Sequence, residues 1–258
     1  MSWASRRRAS YAFGVSLFFA VVIGGPIGYW YFSIPATCTD GIENQGETDV
    51  DRGGPCLLLD TRALSPASIL WSRSFRVRDG SYSAAAYIQN ANEQAGVSGV
   101  RYKFTFYDEK NIFVGERFGS TYIMPGSITP IFEGAIATGN RVVAHTYFQF
   151  EDPLAWERLE NRALSIEIND KQLTDIGTVP RVHASARNTS VHDMYDVVFR
   201  AAVFDPAGNA FAASETTIPK LRAGEKQNIV FTWPDPFTIA VGRIDVVPLV
   251  KPAMPRAE

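Results

Sequence analysis

Residues 87–116, YIQNANEQAGVSGVRYKFTFYDEKNIFVGE, return in outline at residues 185–214, SARNTSVHDMYDVVFRAAVFDPAGNAFAAS. Aligned on Asp108 and Asp205, Val100 falls on Val197, Tyr102 on Phe199, Phe104 on Ala201, Phe106 on Val203 and Tyr107 on Phe204, and Asn90 and Asn188 match within one residue. Further along, MPGSITPIFEG from Met124 corresponds to LRAGEKQNIVFTW from Leu221, and GNRVVAHTYFQF from Gly139 to VGRIDVVPLV from Val241. A repeat of about one hundred residues is the size of one immunoglobulin-like domain, so the duplication predicts two β-sandwiches in tandem.

The local pattern agrees. Tyr82, Ala84, Ala86 and Ile88 alternate with Ser83, Ala85, Tyr87 and Gln89, and Val100, Tyr102, Phe104 and Phe106 alternate with Arg101, Lys103 and Thr105. This is the period-2 signature of half-buried strands. Val142, Ala144, Thr146, Phe148 and Phe150 supply another inward series. Gly80, Asn90 to Gly99, Asp108 to Asn111, Pro125-Gly126 and Gly139-Asn140 carry the residues that turns require. The fold class expected is all-β, two antiparallel sandwiches at 57–160 and 161–258, with a boundary near Glu160 and a helical turn or two around Leu154 to Arg162.

Ahead of the repeats, Tyr11 to Phe32 (YAFGVSLFFAVVIGGPIGYWYF) contains no charged residue and follows Arg6, Arg7 and Arg8. Its length suits a hydrocarbon core, which takes about 20 apolar residues as helix, and Tyr29, Trp30 and Tyr31 stand where an interfacial aromatic belt forms. The arginines predict a cytoplasmic tail at 1–10, a single-pass transmembrane helix in the lipid bilayer at 11–32 and extracytoplasmic domains behind it. A cleaved signal peptide would have a shorter apolar region ending in small residues, whereas this run ends in bulky aromatics. Pro35, Ala36 and Thr37 fit poorly as the small residues a lipoprotein needs before its cysteine. Gly24 and Gly28 form a GxxxG pair, a weak dimer signal when it stands alone.

The chain has two cysteines, Cys38 and Cys56, which bracket an acidic, glycine-containing stalk at 33–56. In an oxidising compartment a single disulfide is expected, worth about 3 kcal/mol in the chain-entropy model; two free thiols in a disordered stalk are the alternative. Asp40, Asn44, Glu47, Asp49 and Asp51 supply oxygen ligands of the kind Ca²⁺ takes, though not at EF-hand spacing, so calcium is an expectation to be examined. A net charge of −2 with mixed signs predicts no nucleic-acid partner.

The stalk resembles a small extracellular cysteine-rich module of pattern CxxCxDGxxNxxExxxDCGGxC. Cys38, Asp40, Gly41, Asn44, Glu47, Asp51, Gly53, Gly54 and Cys56 occupy its positions, while Pro35 and Arg52 stand where two further cysteines would be. The resemblance implies that Cys38 and Cys56 are a surviving pair. The repeats resemble the FxLYD type of bacterial immunoglobulin-like domain. Asn188, Val197, Phe199, Phe204, Asp205, Gly208, Pro219, Leu221, Gly224 and Glu225 stand at family positions in the second repeat. In the first, Tyr107-Asp108 and Pro125-Gly126 match, but Ser127 replaces the glutamate. The implied role is accessory, adhesive or assembly work at a bacterial surface, since the matched positions define a fold and not a catalytic site.

Residue by residue, catalytic chemistry finds little support. His145, His183 and His192 lie in separate segments without paired metal-ligand spacing. No GxSxG elbow or SxxK accompanies the serines, and no glycine-rich loop precedes a helix in the soluble part. Asp108 and Asp205 are repeated at strand ends before turn residues, which points to side-chain-capped turns rather than general acids. The expectation is a non-enzymatic interaction or assembly module with an envelope protein as partner, contacted through sheet edges or loops. Surface or cell-wall carbohydrate is the alternative, with Trp71, Tyr87, Tyr147 and Trp233 as stacking rings; packing between the sandwiches is the competing account of those rings.

Overall fold

The computed structural model describes residues 3–33 and 38–253. Pro35 of the stalk motif and residues 254–258 of the second sandwich lie outside the described residues, as do the first two residues of the tail. The chain divides at Cys56 and Leu57 into two compact units.

In the first unit, α1 (Trp3–Ser33) is a continuous helix that begins ahead of the arginines, so the expected tail at 1–10 is helical from Trp3. The span Arg7–Trp30 is long and apolar enough to cross a membrane, and none of it is buried by protein. Phe13, Val21, Ile27 and Trp30 are exposed around its circumference, and Pro26 sits inside it. An apolar surface on all sides of a helix suits a lipid environment. The backbone carbonyl freed at Pro26 is a lesion that transmembrane helices accommodate.

The second unit is all-β. In chain order its strands are β1 (Ser68–Arg78), β2 (Ser81–Gln89), β3 (Ala95–Tyr107), β4 (Phe113–Ile123), β5 (Ile128–Ala137), β6 (His145–Phe150), β7 (Glu157–Arg158), β8 (Ile166–Thr174), β9 (Arg181–Asn188), β10 (Met194–Phe204), β11 (Ala210–Leu221), β12 (Lys226–Thr232) and β13 (Arg243–Leu249). They form four antiparallel sheets: β1-β2-β5 and β4-β3-β6, then β12-β9-β8 and β11-β10-β13. The second pair repeats the first strand for strand, β8-β9-β12 standing for β1-β2-β5 and β11-β10-β13 for β4-β3-β6. Among the described residues, no pairing between these strands joins the first set to the second.

Each pair of sheets encloses its own core. Ala84, Ala86 and Ile88 of β2 meet Val100, Phe104 and Phe106 of β3, with Phe148 of β6. Val182, Ala184 and Ala186 of β9 meet Val197, Phe199 and Val203 of β10, with Phe231 of β12. Burial of the Val, Ile and Phe side chains among these stabilises by about 1.5–3 kcal/mol each.

A third apolar cluster lies between the sandwiches. Phe75, Ala85 and Tyr87, on the far side of β1-β2-β5, pack against Ala202, Phe204, Ala210 and Ala213, on the far side of β11-β10-β13. The four sheets therefore stack in layers, and β2 is buried on both faces from Tyr82 to Ile88. The half-buried reading of that strand is corrected here. Ser83 and Ala85 read as solvent-facing because they are small, and small residues are what allow a second sheet to approach closely.

Two further expectations change. Leu154 to Arg162 contains no α-helix: β7 pairs with Ala95 and Gly96 of β3, Trp156 is buried, and the 3-10 turn starts only at Arg162. In the 142–150 series, Phe148 and Phe150 face the core, but Val142 is exposed and β6 begins at His145. Prolines stand in three edge strands, Pro130 in β5, Pro219 in β11 and Pro248 in β13, each at an edge of the two central layers.

Candidate interaction surface

The repeated polar residues build turns. Asp108 Oδ1 accepts from the backbone N–H of Lys110 at 2.9 Å and of Ile112 at 2.8 Å, and Asp205 Oδ1 accepts from that of Asn209 at 2.7 Å. The Asn209 N–H holds the Asp205 carboxyl below the usual carboxylate range. The residue that must adopt positive φ in each hairpin is Asn111 at 58° in the first repeat and Gly208 at 85° in the second. Both types tolerate that conformation, Gly through its missing Cβ and Asn through local hydrogen bonding.

The repeated asparagines are buried clamps. Asn90 is 1% exposed and Asn188 is fully buried. Asn90 Nδ2 donates to the carbonyls of Ala95 and Met124 at 2.6 and 3.0 Å, while its Oδ1 accepts from Asn92 N–H at 3.0 Å. Asn188 repeats this with the carbonyls of His192 and Leu221 at 2.8 and 3.2 Å and with Ser190 N–H at 3.0 Å. One amide thus fastens a turn to a neighbouring strand in each sandwich.

In the stalk, Cys38 and Cys56 form a disulfide with Cα atoms 5.6 Å apart. Asp51 accepts from the backbone N–H of Asp40 and Gly41, both at 3.0 Å. Glu47 Oε2 accepts from Asn44 N–H at 3.2 Å and Asp51 N–H at 3.3 Å, and Asn44 Nδ2 donates to Asp40 Oδ2 at 3.0 Å. Asp49 caps the N–H of Val50. The motif residues thus knot the loop through their own backbone, and the calcium expectation gains no cage. Among the described residues no three of the carboxylates bring ligand atoms within 4.8 Å; Glu47 lies near both sulfurs instead, and these are joined in the disulfide. The paired glycines have a steric reason: a Cβ on Gly53 would fall 2.1 Å from Thr48 Oγ1, and one on Gly54 2.2 Å from the Gly46 carbonyl oxygen.

The histidines remain apart: His145 is on β6, His183 on β9, and His192 in the turn before β10. His192 borders a cleft of about 610 Å³ with Glu93, Arg158, Glu160, Arg162 and Ser190. Ser190 Oγ lies 2.7 Å from Asn188 Oδ1 and accepts from His192 N–H at 3.3 Å, so that hydroxyl serves the asparagine turn.

The four aromatics proposed as a stacking platform separate. Trp233 is 8% exposed and its Nε1 donates to the Ala213 carbonyl at 3.1 Å. Trp71 stacks on Tyr87 at 4.5 Å between centroids, and both meet Phe204 edge-on at 6.1 Å across the junction between sandwiches. Burial drives the Tyr87 phenol well above its ordinary value. Around these rings Arg73 donates to the Ala210 carbonyl at 3.2 Å and to Asn209 Oδ1 at 2.9 Å, and the Arg243 guanidinium covers the Phe204 ring at 4.2 Å. Arg200 donates to the Pro130 carbonyl and pairs with Glu215 at 2.7 Å.

Tyr147 alone of the four is exposed, at 58%, and it has neighbours that the sequence reading did not single out. On the outer face of β4-β3-β6, Tyr107 meets Tyr147 at 5.8 Å and Phe113 at 6.1 Å, with Phe113 48% exposed. Phe118, 55% exposed, lies beside Lys103 at 5.7 Å. Charged pairs flank these rings on the side nearer the start of β3, Lys103 with Glu151 at 3.4 Å and Arg101 with Asp152 at 2.7 Å. Aromatic rings beside charged groups make this the candidate surface among the described residues. The odd-numbered face of β3, Lys103, Thr105 and Tyr107, carried the signal, since it places a half-buried Tyr between two exposed aromatics.

No protein-family profile and no curated protein matches the chain. Among solved structures, it is similar to red sea bream transglutaminase at 9% identity and TM-score 0.26, over 73% of this chain and 32% of that one. Bacteroides uniformis β-glucuronidase gives 13% identity and TM-score 0.20, over 68% of this chain and 22% of that one. The CBM22-1-CBM22-2 tandem from Paenibacillus barcinonensis Xyn10C gives 9% identity and TM-score 0.16, over 75% of this chain and 92% of that one. The chain thus spans a third or less of the transglutaminase and the glucuronidase, and likeness of this degree carries no functional argument.

Proposed function

We propose that this chain is a membrane-anchored, non-catalytic interaction or assembly module of a bacterial envelope, with its N-terminus cytoplasmic and its sandwiches extracytoplasmic. The apolar helix ahead of a disulfide-closed loop supports that placement. The observation that carries the interaction role is the aromatic group of half-buried Tyr107 with exposed Phe113 and Tyr147, while the repeated polar residues are taken up in turns and clamps. FxLYD-type domains at 57–160 and 161–258 fit the same reading. Carbohydrate is the second reading, favoured by the exposed Tyr147 ring beside the charged rim.

The test is lysine-directed crosslinking in native membranes from the tagged full-length chain. Reproducible recovery of one defined envelope protein is expected. A folded, membrane-inserted chain that yields none overturns the assembly role. Protease protection in intact cells and in inverted vesicles checks the orientation.

A further inference from the structure

The internal duplication gives the outer face of β4-β3-β6 a counterpart whose occupant is visible. Strand register fixes the equivalence. Tyr107 pairs with Phe113 and His145 as Phe204 pairs with Ala210 and Arg243, and Thr105 lies opposite Glu116 and Tyr147 as Ala202 lies opposite Ala213 and Asp245. In the second sandwich this face is covered by β1-β2-β5, with Phe204 2% exposed against Trp71 and Tyr87. In the first sandwich the equivalent face is open and carries larger aromatics.

We infer that the outer face of β4-β3-β6 docks a sheet face of a partner polypeptide, one lined with aromatic and small residues as β1-β2-β5 is. This deepens the interaction role above and rests on it. The established contact between the two sandwiches is the template, and Tyr107 takes the place that Phe204 fills there. The template also says what the partner lacks. The Ala210 carbonyl accepts from Arg73 across the interface, but its equivalent, the Phe113 carbonyl, already accepts from Arg141 of the same sandwich. With Arg141 already on that carbonyl, the partner needs no arginine at the hairpin and contributes packing area over the rings.

Two observations select this occupant. A second copy that continues the stack head to tail would offer the opposite end, the outer face of β12-β9-β8. There Arg181, His183, Arg187, Lys226 and Asn228 are exposed around Val230. Such a face is a polar cap, unlike the Trp71, Phe75 and Tyr87 surface. A sugar chain favours rings lying flat, whereas Tyr107 meets Phe113 at 77° and Tyr147 at 79°. Mixed edges and faces of this kind suit other side chains.

The experiment places the photoreactive residue p-benzoylphenylalanine at Phe113 or Tyr147, and as control at Val230, in the full-length chain in native membranes. Adducts from the first two positions to strand peptides of one other protein are expected, with none from Val230. The pair Phe113→Glu and Tyr147→Glu, read by lysine-directed crosslinking of the same partner, should lower its recovery about tenfold or more with the thermal midpoint kept. If lysine crosslinking recovers a partner but the face probes do not reach it, this inference falls and the interaction role stands. If neither recovers one, both fall. Adducts to peptides of the chain's own sheets, β4-β3-β6 included, or to polysaccharide alone, overturn the inference in favour of a second copy or a glycan.

Discussion

Replacing Phe204 by Ala tests whether the two sandwiches are coupled through the rings between them. Phe204 is 2% exposed, has Trp71 and Tyr87 each at 6.1 Å, and lies under the Arg243 guanidinium at 4.2 Å. Truncating a buried Phe costs about 3–5 kcal/mol. Within that total, each edge-to-face pair accounts for about 0.5–1.5 kcal/mol and the cation–π contact for at least about 0.5 kcal/mol. The cavity opens between two sheets that can close on it in part, so the lower end, about 3 kcal/mol, is expected. Denaturant unfolding of the full-length chain in detergent, followed by tryptophan fluorescence and by circular dichroism, measures it. The wild type should unfold in one transition across residues 57–258, and Phe204→Ala in two as the coupling weakens. A double-mutant cycle with Trp71→Ala should return a coupling of about 1 kcal/mol. A loss below about 1 kcal/mol with additive single effects would refute the layered packing as the source of cohesion.

Asn188→Ala strands two buried carbonyls and a turn N–H, and should cost about 2–4 kcal/mol; Asn90→Ala should match it within about 1 kcal/mol if the clamps are equivalent, both read from denaturant midpoints. Burial holds the phenols of Tyr87 and Tyr102 above their ordinary value and pushes Tyr122 up to about 12. A phenol so raised stays protonated in the fold after it ionises in the unfolded chain. Stability is therefore intact below about pH 10 and drains away above it, by about 1.4 kcal/mol per pH unit for each such tyrosine. Thermal midpoints that stay level from about pH 10 to about pH 11 would contradict this. Cys38→Ser with Cys56→Ser should remove about 3 kcal/mol from the closed stalk loop, seen as proteolytic cleavage between residues 38 and 56 that the oxidised chain resists. Ala at Gly119 would place a Cβ 2.4 Å from Tyr102 Oη, the donor to Glu133, and should lower the thermal midpoint by the equivalent of about 1–3 kcal/mol.

Strand identity and the two hairpin turns were legible because period-2 patterning and Asp-containing turns are local signals, and Asp108 and Asp205 behave as read. The double burial of β2 was not, since a strand rich in alanine and serine looks half-polar until a second sheet is placed against it. For Trp71 and Tyr87, packing between the sandwiches is the account that the structure bears out over a stacking platform, although the ring they meet, Phe204, lies far away in sequence. The Leu154 to Arg162 segment misled for the opposite reason. Its composition suits a helical turn, but Trp156 is taken by the core and Glu157 and Arg158 by the edge of β3. For the candidate surface, Tyr107 entered the repeat alignment as a match to Phe204, yet that the one is open and the other covered follows only from the order in which the layers stack.

The prolines of β5, β11 and β13 acquire a second meaning under the membrane anchoring proposed above. Tethered molecules share two dimensions, where local concentration is high and an unguarded strand edge invites its neighbour to add on. Three of the four edges of the central layers each lack one N–H donor, at Pro130, Pro219 and Pro248. With those donors missing, crowded neighbours meet edges that resist strand addition, and recognition of a partner is left to the sheet faces, which discriminate by side chain.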